Sequence, residues 1–279
     1  MRRFVPSLIS KETMKLSCQE HLVPGETFAQ KLKNLEKYGF DGVEIHGEYA
    51  NTAAQLAERK AALADSLIKA SSLCGGHPTN LVHPDSTLRQ ITRDALKRHL
   101  DAAAELGAAG PITVPIFNEQ ERVPDLSPWK GRAQIERELL LAMLGEIIPH
   151  AQSVGAAILL EPLNRYESNS LPQQEDGASI VRELNSPGLR LMSDTFHMNI
   201  EERSIPATIR AVGDCIGHVH LADSTRLEPG TGSLDFGAIF AALREVGFEG
   251  YMALECGLSE AADQALPRCA AFLRERIPD

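Results

Sequence analysis

Four residues in the second half of the chain have the types and the spacing to meet at one place. Glu161 closes the apolar run "AILLE", Asp194 closes "LRLMSD", His220 lies in "GHVHL", and Glu255 closes "YMALE". They stand 33, 26 and 35 residues apart, each about the length of one strand–helix unit. If each ends a strand of the same parallel sheet, all four side chains arrive at one rim. Three carboxylates crowded together repel and raise one another's pKa values unless a cation sits between them. Three oxygen ligands and one imidazole suit Mn2+, Mg2+ or Co2+ better than a thiolate-rich zinc site. A single acid at a strand end is uninformative, because any strand can stop at a polar residue where it meets water. Four on consecutive strands are a pattern.

The elements that must carry them alternate along the whole chain. Strand-like stretches are read at 15–22, 41–47, 68–76, 111–117, 156–162, 189–194, 216–223 and 251–256. Between them lie amphipathic runs such as "ETFAQKLKNLEKYG", where Phe28, Leu32 and Leu35 share a helical face and Gly39 stops the helix. Long helices are read at 87–107 and within 132–154, and a last one at about 260–276. In the second half the strands are apolar throughout rather than alternating, which implies a parallel sheet covered by helices. Eight such units predict an α/β fold, a (β/α)8 TIM barrel spanning 1–279 as one domain. An open doubly wound sheet is the runner-up, but no GxGxxG fingerprint follows an early strand.

Composition narrows the function classes. The chain has 279 residues, 43% hydrophobic and 24% charged, with a formal net charge of −10. That balance argues against a nucleic-acid surface. The five cysteines are scattered without CxxC or zinc-ribbon spacing, which suits free thiols in a reducing cytoplasm. No stretch approaches the ~18 consecutive apolar residues of a membrane span, and "MRRFVPSLISKETMKLS" lacks the apolar core of a targeting signal. The expected partner is a small molecule, with no nucleic acid and no membrane; assembly into a homo-oligomer stays open.

Around the strand ends, "LLEPLNRYE" (159–167), "DTFHMNIEE" (194–202), "HVHLADSTRLEPGTGSLDF" (218–236) and "ALREVGFEGYMALE" (242–255) resemble the ketose 3-epimerases of the tagatose/psicose type, within the xylose-isomerase-like TIM-barrel superfamily. The first half matches in its strand–helix rhythm and in "GFDGVEI". The resemblance implies that Glu161, Asp194, His220 and Glu255 hold one divalent metal ion, Mn2+ first and Mg2+ or Co2+ as alternatives. It implies that Glu161 and Glu255 are also the acid/base pair, and that Glu167, His197 and Arg226 contact the sugar. Two features depart from it. The first strand is followed by "SCQEHLVPG" instead of aromatic residues, and Glu255 runs through Cys256, Gly257 and Leu258 almost directly into the last helix.

The chemistry fits that implication. A hydrogen beside a ketone is weakly acidic, so a cation over the carbonyl and neighbouring hydroxyl oxygens stabilises the enediolate. One glutamate removes the proton and a second returns one from the opposite side. The expected enzyme is therefore an isomerase of carbohydrate metabolism. A keto-sugar or keto-glycoside lyase or dehydratase uses the same enolisation and is the alternative; an endonuclease IV-like repair enzyme is a weaker one. Among the remaining candidates, His218 is expected as a hydrogen-bonded core histidine behind His220. Glu44 and His46 are read either as substrate contacts or, for Glu44, as a group satisfying buried polar atoms. Trp129 is read as a lid or loop anchor, His77, His83, His99 and His150 as surface or helix residues. Asn199, Glu201 and Glu202 are expected to begin a solvated helix.

Overall fold

The computed structural model describes residues 14–78, 80–117 and 121–277, and in it the alternation read from the sequence becomes a barrel. Eight parallel strands, β1 (Lys15–Gln19), β2 (Gly42–His46), β3 (Lys69–Cys74), β4 (Ile112–Thr113), β5 (Ile158–Leu160), β6 (Leu189–Asp194), β7 (Ile216–Leu221) and β8 (Tyr251–Leu254), form one sheet. Its order is β3-β2-β1-β8-β7-β6-β5-β4. Helices α1 (Phe28–Tyr38), α2 (Ala53–Ala64), α3 (Ser86–Leu106), α4 (Arg132–Val154) and α5 (Gln174–Leu184) follow the first five strands. Helices α6 (Thr195–Glu201) and α7 (Ile205–Val212) follow β6, and α8 (Phe236–Glu245) and α9 (Ala262–Arg274) follow β7 and β8. The N-terminal stretch inspected for a targeting signal lies largely outside the described residues. No helix among those described is long and apolar enough to cross a membrane.

Local sequence starts and stops these helices. Thr27 with Gln30, and Thr52 with Gln55, form reciprocal capping boxes at α1 and α2, each satisfying backbone N–H groups that the first turn leaves without partners. Gly107 and Gly155 end α3 and α4 at φ +72° and +78°, a conformation glycine adopts without steric cost.

The fourth strand is much shorter than expected from "PITVPIF". Pro111 and Pro115 offer no N–H to a ladder, and pairing is confined to Ile112 and Thr113 with Leu159 and Leu160. The barrel closes between β3 and β4 through the bridge Leu73–Pro111 and the hydrogen bonds Leu73 N to Gly110 O at 3.0 Å and Ala109 N to Ser71 O at 2.9 Å. His77 spans the same seam, its Nε2 lying 2.9 Å from the Ile112 carbonyl oxygen. Inside the barrel Ile112, Leu159 and Met192 pack as a small apolar plug with Cys74 against it. Above that plug the strand ends turn polar.

Candidate metal centre and active site

Register sets the heights of the site residues. Asp194 is level with His220 across β6 and β7, Leu221 with Leu254 across β7 and β8, and Gln19 with Glu44 across β1 and β2. One ligand atom from each of Glu161, Asp194, His220 and Glu255 lies within 4.8 Å of the others. The four groups inferred from spacing alone are thus brought together. Asp194 and His220 are fully buried, Glu161 is 4% exposed, and the Glu255 side chain faces the cavity.

The cluster carries the signs of a cation site. Glu161 Oε1 and His220 Nδ1 are buried without a hydrogen-bond partner; the Glu255 Oε2 atom is 3.1 Å from that nitrogen but outside hydrogen-bonding alignment. Burial and the charges of Glu255 and Asp194 push the Glu161 carboxyl well above the usual carboxylate range. Burial opposes charge on Glu255 too, but His220 and Arg226 more than offset it and hold its pKa down. Burial likewise disfavours the His220 imidazolium, and the charges of Glu44 and Glu255 override it upward. A hard-to-borderline divalent ion fits three carboxylates and one imidazole with two orphaned donor atoms.

His220 is aimed by a residue whose role the sequence left undecided. Its Nε2 lies 2.9 Å from both oxygens of Glu44. A carboxylate only accepts, so Nε2 carries the hydrogen and Nδ1 is the atom that faces the acids. Glu44 also receives Ser72 Oγ at 2.5 Å and lies 3.0 Å from His218 Nε2. It is 1% exposed and satisfies buried polar atoms, the second of the two readings offered for it. His218 is the hydrogen-bonded core histidine expected, bridging Ser72 and Glu44.

The three expected sugar contacts line one cavity of about 340 Å³ together with Glu161 and Glu255. Asn164, quoted in the sequence pattern but not singled out, organises two of them. Its Nδ2 is 2.7 Å from His197 Nδ1 and 3.0 Å from Glu167 Oε1, so Nδ1 accepts and the His197 Nε2–H points toward the acids. That Nε2 is 3.7 Å from both Glu161 Oε1 and Asp194 Oδ2. Arg226 donates to Asp194 Oδ2 at 2.6 Å and to Glu255 Oε2. It sits at φ +60°, a strained value for a non-glycine residue, fixed by Arg226 N to Asp223 O at 2.9 Å and Gly257 N to Arg226 O at 2.7 Å. The short connection after β8 therefore pins the loop that carries this guanidinium.

Several secondary expectations need correction. A helix starts at Thr195, four residues before Asn199, because Asp194 Oδ1 caps it by accepting Phe196 N at 2.7 Å. Glu201 and Glu202 end that helix and are not a solvated start: Glu201 holds Arg165 through three hydrogen bonds and Glu202 accepts Gln174 N. His83, outside any helix, is buried at 7% exposure, whereas His99 lies in α3 as a helix residue, on its buried face. Trp129 is 73% exposed with Lys130 over its ring, so it anchors its loop to nothing inside. His46 lines a smaller adjoining pocket with Gln19, Glu20 and His21.

Residues 32–276 match the xylose isomerase-like TIM barrel family model. The chain is 31% identical over 267 residues to the 3-dehydro-D-guloside 4-epimerase of Escherichia coli (strain K12), covering 94% of this chain and 99% of that protein. It is 29% identical to the ketose 3-epimerase of Arthrobacter globiformis, over 95% of this chain and 91% of that one. The crystal structure of the 3-keto-D-glucoside 4-epimerase of E. coli superposes with a TM-score of 0.85 at 28% identity, covering 94% of this chain and 99% of that one. With the barrel, the rim and these similarities together, the chain belongs to the xylose isomerase-like TIM barrel family.

Proposed function

We propose that this protein is a divalent-metal-dependent sugar epimerase that inverts a carbon next to a ketone, with C3 of a ketose as the first assignment. The observation that carries this reading is the meeting of two glutamates, the buried Glu161 and the half-buried Glu255, within one metal-ligand cluster on the wall of a sugar-sized cavity. Glu161, Asp194, His220 and Glu255 would hold the ion, Mn2+ by preference and Mg2+ or Co2+ in its place. Bound there, the ion supplies Lewis-acid stabilisation of the charge that develops on the ketone oxygen. The chain does the rest. Glu161 from β5 and Glu255 from β8 would exchange protons with the two faces of the reacting carbon. Arg226, the His197 Nε2–H and Glu167 would hold the oxygens that do not react, which fixes the reacting carbon against the glutamates.

A second reading, 4-epimerisation of a 3-keto-glycoside, involves the same step, since C4 there also neighbours the ketone. It is favoured by the cavity's lining. Besides the acids, Leu81, Leu96, Ile112, Val114 and Phe117 give the cavity apolar walls. Such walls suit a group attached to the reacting sugar. Proteins similar to this chain include both ketose 3-epimerases and a 4-epimerase of dehydro-guloside. The nuclease alternative lacks a ligand set, because the cluster contains one histidine. Five cysteines without a disulfide suit the cytoplasm.

The test is to strip the protein with chelator and restore Mn2+, Mg2+ or Co2+ singly. Interconversion of D-fructose with D-psicose, or of methyl 3-keto-D-glucoside with its C4 epimer, is then followed. Activity lost on stripping and regained with metal is expected. Full turnover after exhaustive metal removal would end the proposal.

A further inference from the structure

Gln19 stands at the end of β1 between two carboxylates that belong to its two neighbouring strands. On one side Gln19 is level with Glu44 of β2; on the other, Cys18 is level with Leu254 of β8, so Glu255 follows at the height of Gln19. Its Nε2 lies 2.8 Å from Glu44 Oε1 and 3.0 Å from Glu255 Oε1. Only the amide nitrogen can face two acceptors, and it has two hydrogens, one for each. Gln19 is 7% exposed, so the arrangement is enclosed rather than a solvated contact.

The consequence falls on Glu255. Its Oε2 faces Arg226 and His220, the side of the metal ligands. Its Oε1 accepts from Gln19 Nε2 at 3.0 Å and from the weaker donor Cys74 Sγ at 3.7 Å. A carboxylate oxygen has two acceptor directions. Gln19 holds one and keeps the whole group from turning; the other faces only the weak thiol donor, which a proton on the substrate displaces. We propose that Gln19 is the positioning residue for Glu255: its bridging amide fixes the carboxylate's rotation and ties it to the Glu44 that orients His220. This inference rests on the proposed two-glutamate epimerisation. No other neutral side chain of this length has two N–H donors on one atom. Methionine keeps the length without donors, and glutamate would set a third carboxylate between two.

The test exploits the difference between the two proton transfers. Gln19→Met should lower kcat in both directions by about 10–100-fold, as loss of a supporting hydrogen bond does, with KM held within about threefold because no substrate contact is removed. If only the Glu255 transfer is slowed, it becomes rate-limiting. With substrates deuterated at the inverted carbon, the isotope effect on kcat/KM should then rise for the epimer whose proton Glu255 removes. It should fall toward unity for the other epimer, whose proton Glu161 takes in a rapid prior equilibrium. A structural defect would not split the two epimers in this way. The probes are C3-deuterated D-fructose and D-psicose, and C4-deuterated methyl 3-keto-D-glucoside with its epimer. Isotope effects that stay unchanged, or move in the same direction for both epimers, would overturn the inference. A wild type inert toward both pairs would instead overturn the proposed reaction. In that event the crystal structure of Mn2+-loaded Gln19→Met decides the inference separately: a turned Glu255 carboxylate supports it and an unmoved one refutes it.

Discussion

Replacing Glu44 with glutamine changes one atom in a residue that touches neither the cavity's expected substrate nor the metal. Its effect can be worked out from the contacts. Glu44 Oε1 accepts from Gln19 at 2.8 Å, Oε2 accepts from Ser72 at 2.5 Å and lies 3.0 Å from His218 Nε2, and His220 Nε2 is 2.9 Å from both. Every one of these neighbours points a donor at the carboxylate. An amide puts an NH2 group where one oxygen was, so on that side donors face a donor. Loss of two charge-assisted hydrogen bonds in a buried site costs about 3–5 kcal/mol. For a domain of this size that lowers Tm by roughly 6–20 °C. The second consequence is specific to the site. Without an obligatory acceptor at Nε2, the His220 hydrogen is free to move to Nδ1, and Mn2+ affinity should fall about 10–100-fold. Differential scanning calorimetry of the metal-free protein and isothermal titration with Mn2+ measure the two effects separately. A Glu44→Gln protein that melts lower yet binds Mn2+ as tightly as wild type would refute the tautomer argument, leaving Glu44 as a structural group only.

Asp194→Asn keeps the oxygen that caps α6 through Phe196 N but loses the charge, so circular dichroism should show a folded barrel while Mn2+ affinity drops by more than ~100-fold. Asp194→Ala should in addition lose about 1 kcal/mol of stability with the cap. Asp223 is held by Ser224 N at 2.8 Å, Gly230 N at 2.9 Å and Leu234 N at 3.1 Å. Burial pushes its carboxyl up, but those backbone N–H groups more than offset this and leave its pKa below the ordinary value. A depressed folded pKa adds stability that is complete above the unfolded value of ~3.9 and is lost as pH falls through the folded pKa. Asp223→Asn should therefore cost about 1–3 kcal/mol at pH 7 and show a shallower stability loss on acidification below pH ~4. Urea unfolding at pH 7 and pH 3 measures this, and parallel pH dependence in the two proteins would contradict it.

What the sequence revealed depended on how each signal is encoded. The β6 boundaries, Leu189–Asp194, were legible because an apolar run ends abruptly in an acid. The four ligand candidates were legible because a parallel barrel turns chain spacing of one unit into spatial adjacency. The short β4 was concealed by its apolar composition, since the missing N–H groups of Pro111 and Pro115 act on pairing rather than on hydropathy. Helix α6 was hidden because its cap is Asp194, already assigned to another task, and seven residues are too few to show a helical period. Gln19, Glu44 and Asn164 act through partners on other strands or loops, from 25 to 236 positions away for Gln19 and 33 for Asn164 with His197. Such pairings follow from register and loop path, which one sequence does not display. The "GVEIH" strand held one usable cue: an acid in an otherwise apolar strand must find buried donors.

Epimerisation in D2O tests the central claim most directly. If Glu161 and Glu255 serve opposite faces of a carbon beside the ketone, the proton removed is not the proton returned. Product formed from a ketose should then carry one solvent deuterium at C3, the inverted carbon; from a 3-keto-glycoside it should carry one at C4. Early in the reaction the unreacted substrate should stay mostly unlabelled, because the first glutamate returns its own proton. An aldose product carrying deuterium at C2 would identify an aldose–ketose isomerase. Inverted product without solvent label, or loss of water or an aglycone without inversion, would contradict two-glutamate epimerisation.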